Sequence, residues 1–356
     1  MTTEPGIKYA TTLDGARIAF WEIGEGAPLV IMPGEPLWQI QLIRQVPPWQ
    51  TWLERLAQKR RVIIFDGRAT GLSDGTAEDL NLQSQRVDLV AVVDHLDLKR
   101  FDLFAPLSAG PAAVTYAVAH PRRLQNLILW CSYANGAEYM ESGSIKGLLA
   151  LMKTDWELFL EIVAHARFDP EGEGESTSPP DLLGEFLDEG STEAFYSGIS
   201  HVEVTAMLSK VQAPTLVMSR GQAHIGPGID ASRSLASGIP NARLIFLDGI
   251  SVAPYLGDTK AVLGEIIDFL SEGDLPLLPP DVRSLLARPE SSPEPLTPRE
   301  IDVLNLVAQG MSNQEVADAL VIGVGTVKSH LYKVFGKLDV KRRTQASAKA
   351  KELGLI

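Results

Sequence analysis

A single cysteine, Cys131, stands in 356 residues. That scarcity excludes an internal disulfide framework and a thiolate zinc cluster, and it suits a reducing compartment. Histidine is sparse too, with six copies. His95, His120, His165 and His201 show no ligand spacing among themselves, so neither a metal nor another cofactor is expected. No apolar run is long enough to span a bilayer, and MTTEPGIKYA carries no charged, apolar, small-residue leader. The expectation is therefore a soluble, cytoplasmic protein with no membrane partner. Positive charge is also short, with a formal net charge of −13.

What is present is a generous apolar fraction, 45% of the chain, enough for about two domains with real cores. The charge is unevenly divided. Residues 297–356 hold nine basic against six acidic side chains, which leaves −16 to the rest. An acidic body repels phosphate and leaves any nucleic-acid contact to the basic tail. The stretch 273–295 is rich in proline, breaks all periodicity and reads as a linker.

From residue 7 onward, short buried-strand signals alternate with helical ones. IKYATT and ARIAFWEIG flank Asp14-Gly15, a hairpin turn pair. PLVIM, Arg61–Phe65, Arg100–Ala105, Leu124–Cys131, Pro214–Ser219 and Ala242–Leu247 follow, separated by helical segments such as Asn81–Leu96. This alternation predicts an α/β fold, a parallel sheet with helices on both faces. Pro106-Leu107-Ser108-Ala109-Gly110 joins strand to helix with a serine at its centre, the context of a nucleophile elbow. The FDGRATGLSD turn, APTLVMSRG and IPNARLIFLDG complete a pattern that resembles the α/β-hydrolase fold over residues 1–272. The resemblance implies a helical lid at about 134–209, within which Asp169–Pro180 reads as a loop.

Acyl transfer needs a nucleophile, a histidine to take its proton, a carboxylate to orient that histidine, and amides for the oxyanion. Ser108 is the candidate nucleophile, with Glu35 and Ala109 as amide donors. By the resemblance, His224 stands where the acid belongs and Val252 where the base belongs, so Ser108 reads as a vestigial nucleophile and the unit as a pseudo-hydrolase. What outlives catalysis in such a fold is the cavity. Ser108, Ala109, Glu35, Ser219, His224 and Ser251 are expected as its polar contacts. Val252 and Trp38 are expected apolar walls, with Phe195 and Tyr196 from the lid.

The tail opens TPREIDVLNLVAQG. Thr297 as cap, Pro298 in the first turn and Glu300 three residues after the cap specify a helix start; Ile301, Leu304, Leu306 and Val307 give its apolar face and Gly310 its stop. Ser312 and Glu315 form a second capping box ahead of Val316, Ala319 and Leu320. A third helix buries Val327, Leu331, Val334 and Leu338 and turns Lys328, Ser329, Tyr332, Lys333 and Lys337 outward. Two capped helices, a tight turn and a cationic helix make an all-α helix-turn-helix domain over residues 296–356. LTPRE, TVKSHLYKVFGKL and RRTQASAKAKELGLI, in that order, resemble the LuxR-type DNA-binding domain, with Gly323 where Ser or Thr usually caps the recognition helix.

That resemblance implies Lys328, Ser329 and Tyr332 at base edges, and Thr326, Lys333, Lys337 and Arg342 on phosphates. Arg343 and Glu300 tie the small domain together. The expected protein is a DNA-binding transcriptional regulator, acting as a homodimer on double-stranded operator DNA and sensing a small-molecule effector without turnover. Two alternatives stay open at this point: weak residual serine esterase activity, and a vestigial pocket with control by a protein partner.

Overall fold

Asp14-Gly15 turns β1 (Lys8–Thr11) into β2 (Arg17–Ile23). Gly15 takes φ 92°, a region that strains any residue with a Cβ, and the Thr12 amide closes the turn on the Ala16 carbonyl at 2.9 Å. The computed structural model describes residues 6–168, 183–223, 225–274, 298–320, 327, 330–331, 334, 338, 340 and 343–352. It divides into two units, residues 1–275 and 276–356.

In the first unit the hairpin continues into β3 (Pro28–Ile31), β4 (Arg61–Phe65), β5 (Phe101–Pro106), β6 (Leu124–Trp130), β7 (Thr215–Arg220) and β8 (Ala242–Leu247). These make one eight-stranded sheet in the order β1-β2-β4-β3-β5-β6-β7-β8, antiparallel through β1, β2 and β4 and parallel elsewhere. Strand period sorts the side chains. Val62 and Ile64 join the core on one face with Trp49 and Trp52 of α2 (Pro47–Ala57, which follows the short α1, Ile40–Ile43). Ile63 and Phe65 join the core on the other face with Leu89 of α3 (Leu82–His95) and Val114 of α4 (Ala109–Ala119). Each fully buried side chain of this size contributes about 1.5–3 kcal/mol, so the two apolar layers hold the sheet between its helices.

Among the described residues, the helices between β6 and β7 include α5 (Gly136–Met140), α6 (Gly143–Thr154), α7 (Trp156–Phe168) and α8 (Glu189–Ser200). They fall inside the stretch expected as a lid, whose loop Asp169–Pro180 lies outside the described residues. Asp188 caps α8 by accepting the Ser191 amide at 2.8 Å. After β7 come α9 (Ile229–Gly238) and, beyond β8, α10 (Thr259–Asp274). The chain from residue 275 to Thr297, most of the expected linker, lies outside the described residues.

The second unit contains α11 (Pro298–Ala308), α12 (Asn313–Leu320) and α13 (Arg343–Glu352). The expected capping box is formed: the Glu315 amide donates to Ser312 Oγ at 3.3 Å and the Ser312 amide to a Glu315 carboxylate oxygen at 2.7 Å. Gly310 takes φ 92° behind α11. Val303, Val307, Val316, Ala317, Val327 and Leu331 pack as one cluster, and Leu304, Val334, Leu338, Ala346 and Ala350 as another. Ala317 is buried where Ala319 was expected; the stripe through Val316 and Leu320 centres toward Ala317 and leaves Ala319 exposed. Arg343 donates to Asn313 Oδ1 at 3.2 Å and to the Met311 carbonyl, tying α13 to the turn between α11 and α12.

Candidate functional site

β5 runs into α4 through a turn whose strained residue is Leu107, at φ 49°. In a nucleophile elbow the nucleophile itself occupies that strained position, where its side chain projects from the turn. Here leucine occupies it. Ser108, expected as the vestigial nucleophile, sits one residue further on with helical φ −72° and ψ −10° as the cap of α4. Its hydroxyl and its amide both donate to the Gly34 carbonyl, the amide at 3.2 Å. The pattern P-x-S-x-G therefore misled by one place: residue spacing fits both registers, and only the backbone twist decides between them.

Val252, at the position expected for the base, carries no titratable group. It is buried among Ala253 and Tyr255, and its carbonyl accepts the Trp130 indole N–H at 2.6 Å. Among the described residues no histidine bonds Ser108; His224 lies outside them. Cys131 is fully buried at the end of β6, and burial pushes its thiol up to about 11, which leaves it unreactive at neutral pH. Among the described residues no cluster of His, Cys, Asp and Glu could hold a metal.

Three neighbouring cavities lie under the helices between β6 and β7, and Phe195 of α8 lines all of them. The largest encloses about 550 Å³ counted to its open mouth, but the space free between its walls is about 30 Å³, room for about two waters. Its walls are mostly apolar, with Phe159 and Val163 of α7, Phe195 and Tyr196 of α8, and Val252. One charged pair interrupts them. Arg167, near the end of α7, donates to the Glu35 carboxylate behind β3, with both side chains 10% exposed. Burial opposes charge on Arg167, and Glu35 more than restores it, so the guanidinium stays charged. The sequence carried a signal for this cation: Leu160, Val163, Ala164 and Arg167 share one helical face, and only the last is polar.

Glu35 and Val252 thus line the main cavity, while Ser108 lines the second one beside Gln85 and Tyr133. Three expected contacts are placed elsewhere. Trp38 packs edge-on against Trp49 at 5.0 Å inside the core, and Ser219 is fully buried within β7. Ser251 spends its hydroxyl on the Ala166 carbonyl and the Ala253 amide, each at 3.1 Å. Each of the three sits near the site in sequence; its side chain is consumed by packing or local hydrogen bonds. Ala109, expected as an amide donor, opens α4 directly after Ser108.

The expected DNA contacts, Thr326, Lys328, Ser329, Tyr332, Lys333, Lys337 and Arg342, lie outside the described residues. The described part of the same segment carries the buried Val327, Leu331, Val334 and Leu338, so the apolar face of the expected third helix is in the core of the second unit.

Residues 294–350 match the family of bacterial regulatory proteins, luxR family. The transcriptional regulatory protein LiaR of Bacillus subtilis is 31% identical over 149 residues, covering 36% of this chain and 71% of LiaR. The first unit is similar in fold to a hydrolase from Pseudomonas aeruginosa PA01, with TM-score 0.62 and 19% identity over 74% of this chain and 98% of that one. It is similar also to the esterase EaEST from Exiguobacterium antarcticum, with TM-score 0.62 and 18% identity over 74% and 99% of the two chains.

Proposed function

Because this chain belongs to the luxR family of bacterial regulatory proteins, we propose that its α/β-hydrolase-like unit is a sensor that binds a small-molecule effector without turning it over. The observation that carries this reading is Leu107 at the strained turn of the elbow, with Val252 at the base position. A hydroxyl acts as a nucleophile at neutral pH only when a base takes its proton and the turn aims it at the substrate. Among the described residues Ser108 has neither support, and its proton is already engaged with the Gly34 carbonyl.

Effector binding draws on Glu35, Ser108 and Val252 as cavity walls, with Phe195 and Tyr196. The free space of about 30 Å³ means that a ligand must displace the covering helices to enter. Such a ligand binds one arrangement of the unit better than another, which is the condition for it to shift an equilibrium. At the other end of the chain, Lys328, Ser329 and Tyr332 contact base edges and Thr326, Lys333, Lys337 and Arg342 contact phosphates, on a two-fold operator bound by a homodimer.

Hydrolysis of 4-nitrophenyl butyrate by the full-length protein tests the loss of catalysis. The expected rate is that of buffer, unchanged by Ser108→Ala; saturable turnover abolished by that substitution would make the protein a DNA-bound esterase. Thermal-shift screening of the same protein against a metabolite library tests the sensor. The small free space favours one other reading, a pocket closed for good and control by a protein partner, and a library that leaves the melting temperature unmoved would establish it.

A further inference from the structure

The second cavity, between α3, the elbow and the segment after β6, has free space of about 10 Å³, the size of a single water or hydroxyl. Its lining brings together polar atoms of an unusual kind. Tyr133 Oη and Gln85 Oε1 are both buried and have no hydrogen-bond partner. Tyr133 is 1% exposed and its ring is fixed by stacking on Tyr139 at 4.8 Å. Ser108 lines the same space with its proton given to the Gly34 carbonyl, so only its lone pairs remain to offer.

Buried polar atoms without partners are few in folded proteins, because each forfeits its bonds to water, and two in one cavity call for an occupant. The inventory here is one donor, the Tyr133 phenol, and two acceptors, Gln85 Oε1 and Ser108 Oγ. That set fits a group which gives one hydrogen and accepts another. An ether or ester oxygen would face two acceptors with no proton to give, and a carboxylate would add charge to them. Beyond the small cavity, Phe195 is the partition: it also lines the main apolar cavity, so its displacement would join the two.

We propose that Tyr133, Gln85 and Ser108 form a hydroxyl-recognition site, and that the effector is an uncharged, largely apolar alcohol whose hydroxyl sits there while its body enters the main cavity past Phe195. This rests on the sensor reading above and narrows it to a ligand class. The probes are two isomers of equal heavy-atom count, octan-1-ol and heptyl methyl ether, titrated into the full-length protein by isothermal calorimetry. Octan-1-ol should bind at least about tenfold more tightly, since the ether leaves both acceptors unpaired. Gln85→Leu should cut that preference to about threefold or less with ether affinity unchanged, whereas Tyr133→Phe, which removes a donor that either oxygen can accept, should weaken both isomers about equally. Both variants remove an unpaired buried atom, so neither should lower the melting temperature of the free protein.

Equal affinities for the two isomers would overturn the hydroxyl site, leaving a resident water as its occupant, while the sensor reading stood. A preference for the alcohol that survived Gln85→Leu, or affinities for both isomers left unmoved by Tyr133→Phe, would overturn the assignment of these side chains. Binding of neither isomer would overturn the alcohol class, and the metabolite screen then decides separately whether the sensor reading survives.

Discussion

The Arg167–Glu35 pair gives the sharpest stability prediction. Both side chains are 10% exposed, in a cavity wall otherwise made of Phe159, Val163, Phe195 and Val252. Removing one member strands the other charge in that wall, which costs about 3–5 kcal/mol; replacing both by apolar residues of similar volume is close to neutral. Arg167→Met and Glu35→Leu should each destabilise by that amount, and the double variant should lie within about 1 kcal/mol of the parent. With a slope of about 3 kcal/mol/M in urea, the single variants move the midpoint by about 1–2 M. All six tryptophans, at 21, 38, 49, 52, 130 and 156, lie before residue 276, so their fluorescence reports the first unit alone. Single variants that each cost under about 1 kcal/mol, with no coupling in the double-mutant cycle, would refute the pair as the cavity's buried polar link.

Other consequences are open to measurement. Asp66 is fully buried, with its carboxylate accepting the Ile40 and Leu72 amides at 2.7 and 2.8 Å, and burial raises it from 3.8 to about 6. The folded state then holds the proton more tightly than the unfolded one, so stability falls as pH rises from about 4 to 6, by up to about 3 kcal/mol from this group. Urea midpoints across that range should drop less steeply in Asp66→Asn. Ser312→Ala removes the acceptor for the Glu315 amide and should cost the second unit about 1 kcal/mol, read by far-UV circular dichroism on heating. On DNA, Lys333→Ala should weaken binding equally on all sequences and lower the salt slope by about one, whereas Lys328→Ala should also relax preference at one base step. Full operator affinity in both lysine variants would refute the assigned recognition helix.

The succession of strands, the Ser312–Glu315 capping box and the Asp14-Gly15 turn were legible because each depends on local chemistry: short buried apolar runs, a serine with a glutamate three residues on, a glycine at positive φ. The elbow was legible only to within one residue. Leu107 and Ser108 are neighbours in a motif whose first glycine is replaced by Pro106, and it is φ 49° at Leu107 that identifies the strained position. Burial competition explains most other departures. Trp38, Ser219 and Ser251 were assigned to the cavity by their place after strands, yet packing and hydrogen bonding to distant carbonyls such as that of Ala166 take their side chains. Arg167 was readable as a cation on an apolar helical face, but its partner Glu35 lies 132 positions away, and no sequence pattern links the two.

In the proposed sensor, occupancy of the first unit alters DNA binding by the second. The direct measurement is the affinity of the full-length protein for its selected DNA site, by fluorescence anisotropy, with and without the tightest-binding library compound at saturation. A shift of at least about fivefold with the compound recovered intact is the predicted result. Unchanged affinity under demonstrated saturation, or recovery of a hydrolysed product, would contradict it.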